Sequence, residues 1–159
     1  MSLDAFVFCD CYEKGKLLKP PPAGISLQVQ PDGSLCHDGD SIEADRAWYQ
    51  WKPRSACKHE GGVLLHHRLG NIALIRLLRS ELQREPSRFP ILLGKVLHSG
   101  THSGDYLPFE FVPALQGEVE GLINFRSSTP EAAEYISHFR VRMSELVAAS
   151  LSVTKPIAF

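Results

Sequence analysis

Residues 129–147 read TPEAAEYISHFRVRMSELV, and this stretch commits the chain to a long amphipathic helix. The Thr129 hydroxyl can accept from the first backbone N–H groups, which have no intrahelical partner. Pro130 is pre-set to the helical φ and gives up only a donor that would be unpaired anyway. Glu131 sits at the positive end of the helix dipole. Behind them Ile136, Phe139, Met143, Leu146 and Val147 recur at three- and four-residue spacing and draw one apolar stripe. Such a stripe must be buried against another layer, which the rest of the chain has to supply.

Working back from this helix, Pro113 can open another, with Leu115, Val119, Leu122 and Ile123 on one face and Glu118 and Glu120 pointing outward. The apolar run Ile91 to Leu97, bracketed by prolines and glycines, predicts a strand covered on both faces. Before it, Asn71 can cap a helix that places Ile72, Ile75, Leu78 and Leu82 on one side. Leu74 lies beside them, with Arg76, Arg79, Gln83 and Arg84 opposite. Pro86 and Pro90 end that helix.

The first half reads differently. Leu3 to Cys9 is rich in Phe and Val and predicts a strand. KPPPAG (19–24) cannot continue a ladder, because each proline lacks a donor. Ile25, Leu27 and Val29 alternate with polar residues, and Pro31-Asp32-Gly33 turns the chain into Ser34 to Cys36, which predicts a hairpin. HDGDSIEAD (37–45) is a solvated loop or a helix start. Ala47 to Trp51 reads as extended, with Tyr49 and Trp51 on one face and Trp48 on the other. Val63 to Leu65 is a further strand, running into His66-His67-Arg68. Strands dominate the first half and helices the second. The expectation is therefore a single α+β domain over residues 1–159, with a mixed or antiparallel sheet and about three helices packed mainly on one face.

The chain has 159 residues, enough for one well-buried core without a metal or disulfide. Its 17 Lys and Arg are offset by 18 Asp and Glu, for a net charge of -1, so the cationic surplus of a nucleic-acid binder is missing. The N-terminus has no signal-peptide pattern, and no apolar run reaches the roughly 18 residues of a membrane helix. A cytoplasmic protein is expected, with Cys9, Cys11, Cys36 and Cys57 as reduced thiols.

Three constellations could carry chemistry. Cys9-x-Cys11 and Cys57-x-His59 offer four zinc ligands, but structural zinc knuckles separate paired ligands by two to four residues. The leading expectation is therefore no metal and no cofactor, with these cysteines as small buried hydrophobes. His102 and Asp105, in the loop Ser99 to Asp105, could form an oriented acid and base pair, the centre of a metal-dependent or acid-base enzyme with Cys57 and His59 as possible ligands, the alternative being ordinary turn chemistry. RAWYQWKPR (46–54) alternates aromatic and cationic residues beside an acidic stretch. A protein partner with a basic surface would suit Asp38, Asp40, Glu43 and Asp45 with Trp48 or Trp51 as anchor. No GxSxG, GxGxxG, Walker or HExxH motif occurs, which lowers the odds of an enzyme.

The segments FVFCDCYEKG (6–15), CKHEGGVLLHHRLGN (57–71) and GTHSGD (100–105) give the chain a resemblance to the small cytoplasmic immunity proteins that bacteria encode beside polymorphic or contact-delivered toxins. The resemblance implies a non-enzymatic inhibitor that binds a toxin domain. It carries no functional residue over to this sequence.

Overall fold

The computed structural model describes residues 2–98 and 104–159. In chain order the elements are β1 (Ser2–Phe8), β2 (Leu27–Val29), β3 (Leu35–His37), α1 (Ile42–Trp51), β4 (Val63–Asn71), α2 (Ile72–Leu82), β5 (Tyr106–Leu107), α3 (Val112–Gly121), α4 (Pro130–Val153) and β6 (Ile157–Ala158). The pleat of β1 sends Leu3, Ala5 and Val7 into the core and Ser2, Asp4, Phe6 and Phe8 to the other face. β1 is central in an antiparallel four-stranded sheet of order β4-β1-β6-β5, while β2 and β3 form a separate two-stranded sheet.

The helix at 129–147 forms as expected and runs further, to Val153. Thr129 Oγ1 accepts from Ala132 N–H at 3.1 Å, and Ile136, Phe139, Met143, Leu146 and Val147 are buried. Thr154 then adopts the left-handed conformation (φ 56°, ψ 46°), and the Ser150 hydroxyl donates to Lys155 O. This reversal sends Ile157 and Ala158 back into the sheet between β1 and β5. α2 and α4 pack on β1 and β4, and α3 packs on α4. Asn71 Oδ1 caps α2 by accepting from Leu74 N–H at 2.9 Å.

Three local expectations are corrected. Ile91 to Leu97 is helical: the turn opens at Pro90 and passes into a π-helical segment, Leu92–Val96. Glu118 is the reason. Instead of pointing outward it is buried, and its carboxylate accepts from Ile91 and Leu92 N–H at 2.8 Å each, satisfying the start of that turn. Burial pushes its carboxyl above the ordinary value while the two N–H donors pull it back. Ala47 to Trp51 is also helical, being the last part of α1, which Ser41 Oγ caps by accepting from Ala44 N–H at 3.1 Å. Helical periodicity puts Trp48 and Trp51 on the same inner face and Tyr49 outside, the reverse of the strand pattern.

Two apolar clusters result. The large one lies between the four-stranded sheet and α2 to α4. The small one holds Ile25, Trp48, Trp51 and Ala56, ringed by Leu17, Leu27, Leu35, Ala44 and Ala47. β2, β3 and α1 make only sparse contact with the elements of the large cluster.

Candidate metal centre

β1 delivers the chain to Cys9, whose N–H donates to Gly62 O at 2.8 Å. This bond extends the β1–β4 pairing one step past Phe8 and Val63. A tight turn follows, in which Lys14 N–H donates to Asp10 O at 3.0 Å and Lys16 N–H to Cys11 O at 2.7 Å. On the opposite side α1 ends where Ser55 and Ala56 N–H both donate to Trp51 O, and Cys57 and His59 occupy the link to β4. Gly61 (φ 60°) and Gly62 (φ 76°) close that link in the left-handed region, which glycine reaches without Cβ strain.

The two segments bring four donors together. Cys9 Sγ lies 3.7 Å from Cys57 Sγ, and Cys11 Sγ lies 3.4 Å from His59 Nδ1. The ligand atoms of Cys9, Cys11, Cys57 and His59 all fall within 4.8 Å of one another. A regular tetrahedron with Zn–S bonds of about 2.3 Å sets its sulfurs about 3.8 Å apart, which the Cys9–Cys57 and Cys11–His59 pairs match, and the whole set needs to contract by at most about 1 Å to close on a zinc ion. The wall around it is apolar, with Phe8, Leu17, Leu35 and Ala56, and Lys52 on one side.

The electrostatics agree with the dimensions. Burial, together with the neighbouring thiols, pushes the Cys9 thiol up to about 12, and burial also raises that of Cys11. The Cys9 and Cys11 thiols therefore stay protonated until a cation offsets the charge of their thiolates. Burial, with the nearby Lys58, lowers His59 below the usual imidazole value and keeps it in the neutral form that ligates metal. The Cys11 N–H also hydrogen-bonds the Cys9 sulfur and favours its thiolate. The Cys-x-Cys spacing thus gives the first sulfur a backbone donor.

The sequence contained a usable signal for this site. Cys9–Cys57 and Cys11–His59 share the same separation of 48 residues. That regularity acquires meaning once the end of β1 is placed beside the start of β4. Cys36, the remaining cysteine, lies in β3 and takes a hydrogen bond from Gln30 Nε2.

Among the described residues, the other candidates are not gathered into one site. Asp38, Asp40, Glu43 and Asp45 are exposed, with Asp38 Oδ1 accepting from Ser26 N–H at 3.0 Å and Asp45 Oδ1 lying 3.2 Å from His37 Nε2. Trp48 and Trp51 are only 5% and 7% exposed, so neither can anchor a partner. The apolar side chains on the outer face of α1 are Ile42 and Tyr49, 76% and 73% exposed. His102 lies outside the described residues. Asp105 is exposed, and its carboxylate is 3.6 Å from His98 Nε2.

No protein-family model matches this chain, and neither a curated protein nor a solved structure does. Among the described residues, no helix is long and apolar enough to cross a membrane.

Proposed function

We propose that this protein is a zinc-binding, non-catalytic domain in which Cys9, Cys11, Cys57 and His59 hold one Zn2+. The convergence of four soft donors within 4.8 Å carries the reading. Three thiolates and an imidazole select zinc over hard cations such as Mg2+ or Ca2+. They also fill all four tetrahedral positions and leave none for an activated water, so the centre is structural. This arrangement argues against the metal-dependent enzyme considered above. The test is metal analysis of protein purified without a His-tag. One zinc per chain is expected, together with tetrahedral ligand-field bands and a thiolate charge-transfer band after exchange to Co2+. A chain that retains no metal under reducing conditions and does not bind Co2+ through thiolate overturns the reading.

A second reading concerns what the small unit presents. Ile42, Asp45 and Tyr49 fall on one side of α1, with Asp38, Asp40 and Glu43 near its N-terminus. Apolar side chains ringed by carboxylates suit a basic protein surface, which fits the toxin-binding inhibitor that the sequence resembles. Asp40 and Glu43 are the residues to reverse, because Asp38 and Asp45 also serve internal contacts. With the product of the neighbouring reading frame as probe, Asp40→Lys with Glu43→Lys should slow association, most at low salt. An unchanged rate removes this surface from consideration.

A further inference from the structure

Resting on the zinc reading, we propose that metal occupancy decides whether residues 10–61 are folded, while the four-stranded sheet with α2, α3 and α4 holds its structure without metal. Size and packing lead to this conclusion. The segment contains two three-residue strands, one ten-residue helix and a cluster of only four buried apolar residues. Units of about 50 residues with so small a core usually need a metal or a disulfide, because each ordered residue costs on the order of 1–2 kcal/mol of chain entropy. The large cluster has no such need, and none of its buried residues belongs to the small one.

Position sharpens the point. The four ligands lie at the two ends of the segment, where it leaves β1 and rejoins β4. A metal there closes the loop that contains the hairpin and α1, so binding free energy becomes folding free energy for that loop alone. A further tie among the described residues comes from Lys155, just past α4. The Lys155 ammonium, itself buried, donates to Gly33 O at 3.0 Å and pairs with Glu13 at 2.6 Å, and Pro156 packs against Gly33. These contacts hold two turns, the hairpin tip and the turn after β1, and none of them reaches α1. The acidic surface around α1 therefore exists only in the zinc-loaded protein.

The sequence provides a reporter. Both tryptophans of the chain, Trp48 and Trp51, lie in the small cluster. On removal of zinc from the full-length protein by a chelator under reducing conditions, their emission should shift to that of solvent-exposed indole. Far-ultraviolet circular dichroism should keep most of its helical signal, and added Zn2+ should reverse the shift. Hydrogen exchange should show lost protection in β2, β3 and α1 and retained protection in β1, β4 and α4. Cys57→Ser should match the stripped protein, and Lys155→Met should leave the emission metal-dependent. Zinc that binds and leaves without changing the emission or the exchange of α1 overturns this inference and leaves the zinc reading standing. Loss of protection throughout the chain also overturns it, since the metal would then stabilise the whole fold. A chain that binds no zinc overturns both.

Discussion

Glu81 lies on the buried face of α2, where its carboxylate accepts from the Ser128 hydroxyl, from Ser128 N–H at 2.8 Å and from Arg84 Nη1 at 3.1 Å. Burial alone would raise its carboxyl, but the bonds from Ser128 and Arg84 outweigh that and hold it below the ordinary value of 4.5. A folded value below the unfolded one means stability that is complete above 4.5 and is lost as pH falls through the lower, folded value. Glu81→Gln should therefore cost about 1–3 kcal/mol at neutral pH. The gap to wild type should close as acid protonates Glu81, and comparing the two in urea unfolding cancels the acid loss of zinc common to both. A gap independent of pH would show that the charge is not what matters. The same scale separates ligands from bystanders. Cys11→Ser and Cys57→Ser should each abolish stoichiometric zinc, whereas Cys36→Ser should keep it, as read by elemental analysis of purified protein.

At the scale of elements, α1 and the C-terminus of α4 can be tested by single substitutions. Because α1 is helical, Trp48→Ala opens a hole in the small cluster and should destabilise that unit by about 3–5 kcal/mol, while Tyr49→Ala should stay within about 0.5 kcal/mol of wild type. A strand would have put Tyr49 and Trp51 together and reversed the first comparison. Chelator titration followed by α1 hydrogen exchange measures both. Thr154 is the only non-glycine residue at positive φ among the described residues. Thr154→Gly should raise thermal stability by about 1 kcal/mol, because glycine takes the left-handed turn without Cβ strain. The helices at Ile72 and Pro130 were legible because each carries its own cap and its own stripe. Ile91 to Leu97 and Ala47 to Trp51 were not, because a short apolar or aromatic run fits either period. Glu118 decides the first from a helix further along the chain, and burial against Ile25 and Ala56 accompanies the second.

For the whole molecule, two clusters that share few contacts should respond to mutation separately. Phe139→Ala, at the centre of the large cluster, should lower global stability by about 3–5 kcal/mol and still leave one zinc per folded chain. Trp48→Ala should weaken zinc retention against a competing chelator with little effect on unfolding of the stripped protein. Equal effects of the two variants on zinc affinity would mean that the molecule has one cooperative core. The sequence by itself determined the elements whose signals are local: the capped helices, the alternating first strand, the hairpin turned by Pro31-Asp32-Gly33, and hence the α+β class. It also wrote out the four candidate metal ligands as two short pairs. What only the tertiary structure decided is that those pairs meet. Their convergence depends on the antiparallel register that sets Phe8 opposite Val63 and Cys9 beside Gly62, a pairing between segments more than fifty residues apart. Local periodicity carries no information about register at that distance, because register is set by packing of the sheet against α2 and α4.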